Sequence, residues 1–393
     1  MAADELRMLL VGADAVTFNR AFVAAGLDKR RATLTLATSM SDGEHAIRFT
    51  YLSQEDLLES GCLDFELAIE AAESALLAHR DGDVIFPEKV VQIFDEETQK
   101  RINCLPATLL KENVCGMKWV SVFPPNVSDF GVQNLTALFI LSETERGFPL
   151  AVLEGTLASN VRVGAMGGLA ARHFAPSEPR TIGFIGAGEQ AKMQLLAMKT
   201  VCASLEQCRV AAKSPEEERQ FVDQLGPIIG DMEFVEADAE PARAIKGADI
   251  VVTATSAQAP LLKAGWVKPG SLYSHVGGFE DEYAVARQSD KIVCDEWGTV
   301  KHRTQTLSRM YKDGELSDED VYADLVEVVA GAKPGRESDD ERVYFNAVGL
   351  AYVDVAIALA MYRRATEAGK GRELTMQDAM IFEHARMADY PRV

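Results

Sequence analysis

The sharpest change of pattern along the chain falls within TIGFIGAGEQA, residues 181–191. A short run of β-branched and aromatic residues (Thr181, Ile182, Phe184, Ile185) breaks at Gly186 and Gly188, and KMQLLAMKTV then repeats apolar residues at helical spacing. That pattern predicts a buried strand, a tight turn and a helix N-terminus. Further strands are predicted at 208–212, around 233–235, within the apolar run ADIVVTATS at 248–256, and at 272–276, 291–294 and near Phe345. Short apolar runs alternating with helical stretches make this part an α/β arrangement with a parallel sheet.

The preceding part has another rhythm. Ser53 is placed to cap a short helix in QEDLLESG, and LDFELAIEAAESALLAHRDGD carries Phe65, Ile69, Ala72, Leu76 and Leu77 at helical spacing before Gly82 stops it. VIFPEKVVQIFDEETQKRINCLPATLL alternates like two antiparallel strands around DEET, CGMKWVSVF adds a further strand, and 136–141 with 148–153 forms a hairpin closed by SETERG. Gly155-Thr156 opens a helix whose Gly164, Ala165, Gly167, Gly168, Ala170 and Ala171 leave one face almost free of bulk. Such a helix suits close approach to another backbone or to a ligand. After Trp297, helices are predicted over 299–312 and 318–329, then an Ala-rich helix in VGLAYVDVAIALAMYRRATEAG and a terminal turn-and-helix in LTMQDAMIFEHARMADY. A helix over 15–25 and a threonine-rich tract over 33–43 precede all of this without assignable chemistry, and His45 reads as an ordinary surface residue.

At 393 residues the chain suits two domains, one interrupting the other. A formal charge of −20 argues against nucleic acid or an anionic membrane as partner, since both would repel it. Six cysteines without a CxxC pair, together with six histidines, show no metal-ligand spacing, so no metal is expected and the thiols read as reduced ones in a cytoplasmic protein. MAADELRMLLVGADAV lacks the basic segment of a signal peptide, and no apolar run approaches the ~18 residues of a membrane span.

The strand-turn-helix at 181–191 fits a dinucleotide pyrophosphate. Gly186 permits the turn, Gly188 admits phosphate without a Cβ in the way, Ala191 is small where helix meets strand, and the first N–H groups, near Glu189 and Gln190, point at the anion. The ends of later strands, Thr255-Ser256 and Val276-Gly277, are further candidate cofactor contacts. An acid at the tip of the second strand would accept from a ribose 2′-hydroxyl, but here the tip reads Val210-Ala211-Ala212-Lys213-Ser214. Lys213 and Ser214 can instead cradle a 2′-phosphate, which favours NADP(H) over NAD(H); the alternative for Lys213 is a solvated loop residue.

Outside this segment the cations that stand out are Lys118, Arg162 and Lys89. Lys118 lies between apolar neighbours in GMKWVSV, where an ammonium is costly unless a carboxylate or polar substrate meets it. Desolvated, it has a lowered pKa and can exchange a proton with an imine nitrogen or a water; exposed at a strand end, it would simply snorkel. Arg162 interrupts the small-residue helix and presents either a fork for a substrate carboxylate or a surface ion pair. Lys89, after Pro87, is a weaker third cation.

The order of GMKWV, ERGFPLAVLEGTLASNVRVGA, IGAGEQA, ADIVVTATS and GAKPGRESDDERVYFNAVGLAYVDVA resembles the ornithine cyclodeaminase and mu-crystallin family, which includes imine reductases, alanine dehydrogenases and cyclodeaminases. The resemblance implies a homodimer and a bound nicotinamide cofactor. It places Lys118 near the reacting carbon and Arg162, helped by Lys89, on the carboxylate of a small amino-acid or imine substrate. It also implies an α/β fold in which a Rossmann-type nucleotide domain is inserted in an α+β substrate-binding and dimerisation domain. The boundaries expected are an extension over 1–48, the outer domain over 49–175 and 331–393, and the nucleotide domain over 176–330.

Three departures from the family pattern qualify this. Lys89 replaces an arginine, Val163 replaces a threonine hydroxyl after Arg162, and Phe279 stands where cyclodeaminases carry an aspartate, with Glu280 and Asp281 one and two residues on. The activity implied is NAD(P)-dependent oxidation or reduction at the C–N bond of an amino acid, opine-like conjugate or imine. The alternatives are an ornithine cyclodeaminase-type lyase using its cofactor transiently, and a non-catalytic crystallin-type binder. The segments KIVCDEW, YKDGELS and PGRESDDE are similar to siderophore-pathway members that oxidise N-(2-amino-2-carboxyethyl)-glutamate, which likewise lack that aspartate.

Overall fold

The computed structural model of the protein describes residues 46–380. The expected helix over 15–25, the tract over 33–43, His45 and the final stretch over 381–393 lie outside the described residues. Two sheets organise the rest. The first contains β1 (Ile47–Leu52), β2 (Val84–Ile85), β3 (Val90–Asp95), β4 (Lys100–Leu109), β5 (Val114–Val122), β6 (Leu135–Glu143) and β7 (Pro149–Glu154), with a late strand, Arg372–Gln377, beyond β1. Its path runs from that late strand through β1, β7, β6, β5 and β4 to β2, with β3 also paired to β4. β1 lies parallel to β7, and β4 to β7 form an antiparallel meander.

Alternation decides what each face of this sheet does. On β5, Val114, Gly116, Lys118 and Val120 point inward while Cys115 and Trp119 are exposed; on β6, Ala137, Phe139 and Leu141 are buried while Leu138 and Ile140 face out. The helix Ala351–Glu367 packs on β4 and β5 from the inner side, beside the helix Phe65–Arg80. Gly116 allows it to come that close, since a Cβ there would lie 2.8 Å from both methyl carbons of Val355.

The second sheet is wholly parallel. It comprises β8 (Thr181–Ile185), β9 (Gln207–Ala211), β10 (Glu233–Glu236), β11 (Ile250–Thr253), then, after the short β12 (Gln258–Leu262), β13 (Leu272–His275), and, after the short β14 (Phe279–Asp281), β15 (Lys291–Cys294), β16 (Ala323–Asp324) and β17 (Val343–Asn346). The spatial order is β10-β9-β8-β11-β13-β17-β15-β16, and β12 pairs with β14 apart from it. The order reverses beside β8, the crevice where doubly wound sheets bind nucleotides. The four residues of β11 are all buried, as a strand covered on both faces requires.

The small-residue helix, Thr156–Phe174, joins the two halves by packing on the helix Glu189–Val201. A Cβ on Gly164 would lie 2.6 Å from the Met193 carbonyl oxygen, and one on Gly167 would overlap the Gln194 carboxamide, whose Nε2 donates to the Val163 carbonyl (2.7 Å).

Several expected elements differ. The helix expected over 299–312 is broken into Trp297–Val300 and Thr306–Lys312, because Gln305 between them turns its amide to the carbonyls of Gly277 and Ala347. The helix expected over 318–329 gives way to a 3-10 turn, β16 and the short helix Leu325–Val329, capped by Asp324 and Glu327. The start of the expected terminal turn-and-helix is instead the strand Arg372–Gln377, recruited by the open edge of β1. β17 lies between β13 and β15, so the parallel sheet reaches past the boundary expected at 330. Among the described residues no helix is long and apolar enough to cross a membrane.

Gly164→Ala gains helix propensity but overpacks the contact with Met193 and Phe65. The net effect expected is a loss of about 1–3 kcal/mol, read as a lower melting temperature by calorimetry; an unchanged or raised value would contradict this packing.

Candidate active site

A carboxylate deep in the apolar interior organises the candidate site. Asp354, fully buried on the helix Ala351–Glu367, accepts from Lys118 Nζ at 2.7 Å through Oδ2 and from Arg162 Nε at 3.0 Å through Oδ1. Lys118 is 4% exposed and the Arg162 side chain 12%. The two cations singled out from the sequence thus meet on one acid. Burial would push the Asp354 carboxyl up, but Lys118 and Arg162 outweigh it and hold the group below the ordinary range. Burial pulls Lys118 down to about 8, against the pull of Asp354 and with the repulsion of Arg162. An amine so placed changes its protonation close to neutrality, as proton transfer requires.

Arg162 is held from a second side. Gly349, at φ +90°, lies against its guanidinium, where a Cβ would come within 2.5 Å of Nη1. The N–H groups of Val348 and Gly349 donate to Asp295 Oδ2 at 2.9 and 2.8 Å. Burial pushes Asp295 up to about 6, and these donors oppose the rise. Lys89 also falls to about 8, first through burial, then through repulsion by Arg303, Arg101, Lys118 and Arg162 in that order.

On the nucleotide side, Gly186 adopts φ +106°, and a Cβ there would lie 2.4 Å from the Ala254 carbonyl. Gly188 caps the helix Glu189–Val201 and faces open space, the cradle a phosphate needs. Ala191 is buried, Glu189 is exposed and pairs with Lys192, and Gln190 donates to Asn160 Oδ1 (2.7 Å) while its own buried Oε1 has no partner. Lys213 is exposed beyond β9, and the Ser214 hydroxyl caps the helix Pro215–Ile229. Ser256 is exposed after β11, and Val276 is half-buried after β13. These residues line the carboxyl ends of the central strands and fit a nicotinamide dinucleotide. Gln305, which binds both Gly277 and Ala347, ties that rim to the segment carrying Gly349 and hence to Arg162.

Glu280 and Asp281 do not replace the missing aspartate. Glu280 is turned inward, where it accepts from the Thr255 N–H (2.6 Å), the hydroxyls of Thr255 and Thr253 (2.6 and 2.9 Å) and the Gly277 N–H (2.7 Å). It clasps the loops after β11 and β13 together. Asp281 accepts from Thr306 (2.6 Å) and Tyr344 (3.1 Å), and burial pushes it up to about 7. Burial lowers His275 to about 4, so its 3.5 Å approach to Glu280 is no ion pair near neutrality. Asp354, Arg101 and Arg303 escaped the sequence reading, as did the inward, loop-clasping role of Glu280. For Asp354 the signal was present: one acid inside YVDVAIALA must be paired to be buried. Among the described residues no cluster of acids, histidines and cysteines has metal-binding geometry.

Asp354→Asn removes what keeps Lys118 protonated, so the Lys118 limb of a pH–rate profile is expected to move below about 8. Unpairing the buried cations also costs about 3–5 kcal/mol of stability. A profile unmoved in a folded variant would contradict the coupling.

A family model described as "Ornithine cyclodeaminase/mu-crystallin family" matches residues 52–369. An alanine dehydrogenase of Archaeoglobus fulgidus is 32% identical over 82% of this chain and 97% of its own length. The N-((2S)-2-amino-2-carboxyethyl)-L-glutamate dehydrogenase of Staphylococcus aureus is 27% identical over 83% and 98%. Among solved structures, the Thermococcus litoralis Delta(1)-pyrroline-2-carboxylate reductase in complex with NADH and L-proline aligns with a TM-score of 0.78 at 30% identity, covering 82% of this chain and 99% of that one. An archaeal alanine dehydrogenase dimer with bound NAD aligns at 0.76 and 31%, covering 84% and 100%. With the strand order, the glycine turn and the Lys118–Asp354–Arg162 cluster in place, these matches make the chain a member of the ornithine cyclodeaminase/mu-crystallin family.

Proposed function

We propose that the chain is an NAD(P)-dependent oxidoreductase acting on the C–N bond of an amino acid, an opine-like conjugate or an imine. The observation that carries this is the buried Lys118–Asp354–Arg162 cluster, linked through Gly349, Ala347 and Gln305 to the rim of a nucleotide-binding sheet. The nicotinamide, when bound, supplies or accepts the hydride. Gly186, Gly188 and the first turn after them would hold its pyrophosphate, and Glu280 ties the Thr255 and Gly277 loops together on the same rim. Arg162 binds the substrate carboxylate and orients the α-carbon. Lys118 holds the proton exchanged with the substrate nitrogen, and Asp354 keeps that amine in place.

No acid stands at the tip of β9 and Lys213 is free to reach a 2′-phosphate, which favours NADP(H). The outer face of the first sheet exposes Trp119, Leu138 and Ile140 and fits a second copy of the chain. The six unpaired cysteines suit a reducing cytoplasm. Cyclisation with loss of ammonia is disfavoured, because Glu280 and Asp281 are both turned into the domain interior.

Reduction of imines, followed at 340 nm, is expected to fall as pH rises through about 8, because the donating ammonium is lost; oxidation of the amino acid is expected to rise through the same range. Lys118→Met should cost a factor of about 10²–10⁴ in kcat while cofactor binding by fluorescence stays intact. Unchanged turnover would remove Lys118 from the reaction and favour a non-catalytic binder. Trp119→Glu with Ile140→Glu should halve the mass measured by light scattering, and a wild-type monomer would sink the dimer.

A further inference from the structure

We propose that Gln305 is a positioning residue that couples the cofactor rim to Arg162, so that filling either site tightens the other. This deepens the reading above and rests on it for what fills each site.

β13 and β17 are paired side by side as far as His275 and Asn346. Beyond those residues the two chains part: Val276, Gly277 and Gly278 continue along the nucleotide rim, while Ala347, Val348 and Gly349 run on to Arg162. Gln305 closes the gap between them. Its Nε2 donates to the Gly277 carbonyl (2.9 Å) and to the Ala347 carbonyl (3.3 Å), and its Oε1 accepts from Asn346 Nδ2 (3.0 Å). Both loops offer carbonyls, so only the nitrogen end of the amide can face them. Among the described residues no other side chain hydrogen-bonds both loops.

Local structure does not call for a glutamine at this position. Gln305 is the N-cap of the helix Thr306–Lys312, a place that favours Ser, Thr, Asp or Asn, yet its side chain makes no cap bond. It is buried instead, at the break in a segment whose pattern predicts one continuous helix. The chain loses helical turns and a side-chain cap there, and the bridge between the two loops is what replaces them.

The bridge ends in contacts without slack. Gly277 is fixed on its other side by its N–H to Glu280 (2.7 Å), and a Cβ there would lie 2.5 Å from both the Glu280 carboxylate and the Thr255 carbonyl oxygen. Ala347 leads in two residues to Gly349, which lies against the Arg162 guanidinium, and Asp295 holds Val348 and Gly349 by their N–H groups. A dinucleotide seated on the rim fixes the Gly277 loop, and through Gln305 it fixes Ala347 and so the backstop of Arg162. A substrate carboxylate on Arg162 acts back along the same path, because linkage between two binding sites is reciprocal. The cost of ordering the two loops then falls on the first ligand and is spared the second.

The coupling factor is the ratio of NADPH or NADH dissociation constants, read by nicotinamide fluorescence, without and with saturating pyruvate or pyrrole-2-carboxylate. In the wild type the carboxylate is expected to tighten the dinucleotide about tenfold, and calorimetry should find the carboxylate tightened by the same factor. Direct contact between the nicotinamide ring and the carboxylate does not involve Gln305 and survives its removal. Gln305→Met keeps the length and removes the donor, so it should bring the factor to about threefold or less while each ligand alone binds within about threefold of its wild-type affinity. Thr306→Val is the control: it breaks the adjacent buried bond to Asp281 and should lower the melting temperature with the factor intact. With whichever substrate the wild type turns over, Gln305→Met should raise KM at saturating cofactor more than it lowers kcat. Hydrogen exchange on the wild type reads the same link without a variant: the carboxylate alone should slow the Gly277 amide, and the dinucleotide alone the Gly349 amide, each by about tenfold. A factor in Gln305→Met within about twofold of wild type, an equal loss in Thr306→Val, or a Gly277 amide untouched by the carboxylate would overturn the coupling while leaving the oxidoreductase reading intact. A factor lost in Gln305→Met alone, from a wild type that turns over no substrate, would uphold the coupling and remove the reaction.

Discussion

The site depends on one buried carboxylate doing two opposed things. Asp354 makes it possible for a lysine and an arginine to sit inside an apolar layer, and it holds both in fixed positions. An acid alone at that depth would be neutral and a lysine alone would lose its proton; together they stay charged because each removes the other's desolvation problem. Within this cluster two cations face one anion, and Asp295 supplies a second negative charge near Arg162. Lys118, pulled down to about 8 by burial, is left with a labile proton.

The rest of the fold brings a nucleotide crevice to that point. Gly116 lets the Asp354 helix come down on β5, and Gly164 lets the Arg162 helix lie against the helix that follows the glycine turn. Each glycine removes a Cβ where two backbones must touch. Glu280 does the corresponding work among the loops, accepting from Thr253, Thr255 and Gly277 so that the ends of two neighbouring strands are tied together. Asp295, through Val348 and Gly349, connects this nucleotide half to Arg162. The polar groups of the site are therefore fixed from several elements far apart in sequence, which limits the reorganisation needed at the moment of reaction.

Regular elements with a strong local pattern were legible without coordinates. The β8 strand and its glycine turn, the β4 to β7 meander, the Ser53 cap and the small-residue helix all follow from alternation, spacing and capping over a few residues. Elements held by distant partners were not. The break at Gln305 serves carbonyls on Gly277 and Ala347, and the strand Arg372–Gln377 exists because β1 offers an edge more than 300 residues earlier in the chain.

The same division runs through the chemistry. Local sequence determined that a dinucleotide turn is present, that Lys118 lies in an apolar strand and that Arg162 lies on a helix stripped of bulk, because each depends on neighbours within a turn or a strand. Tertiary structure alone decided that Lys118 and Arg162 share Asp354, 236 and 192 residues away, and that Glu280 and Asp281 turn into the domain interior. Side-chain charge is written in the sequence, but the partner that stabilises it is chosen by burial and distance, and those exist only once the chain has folded.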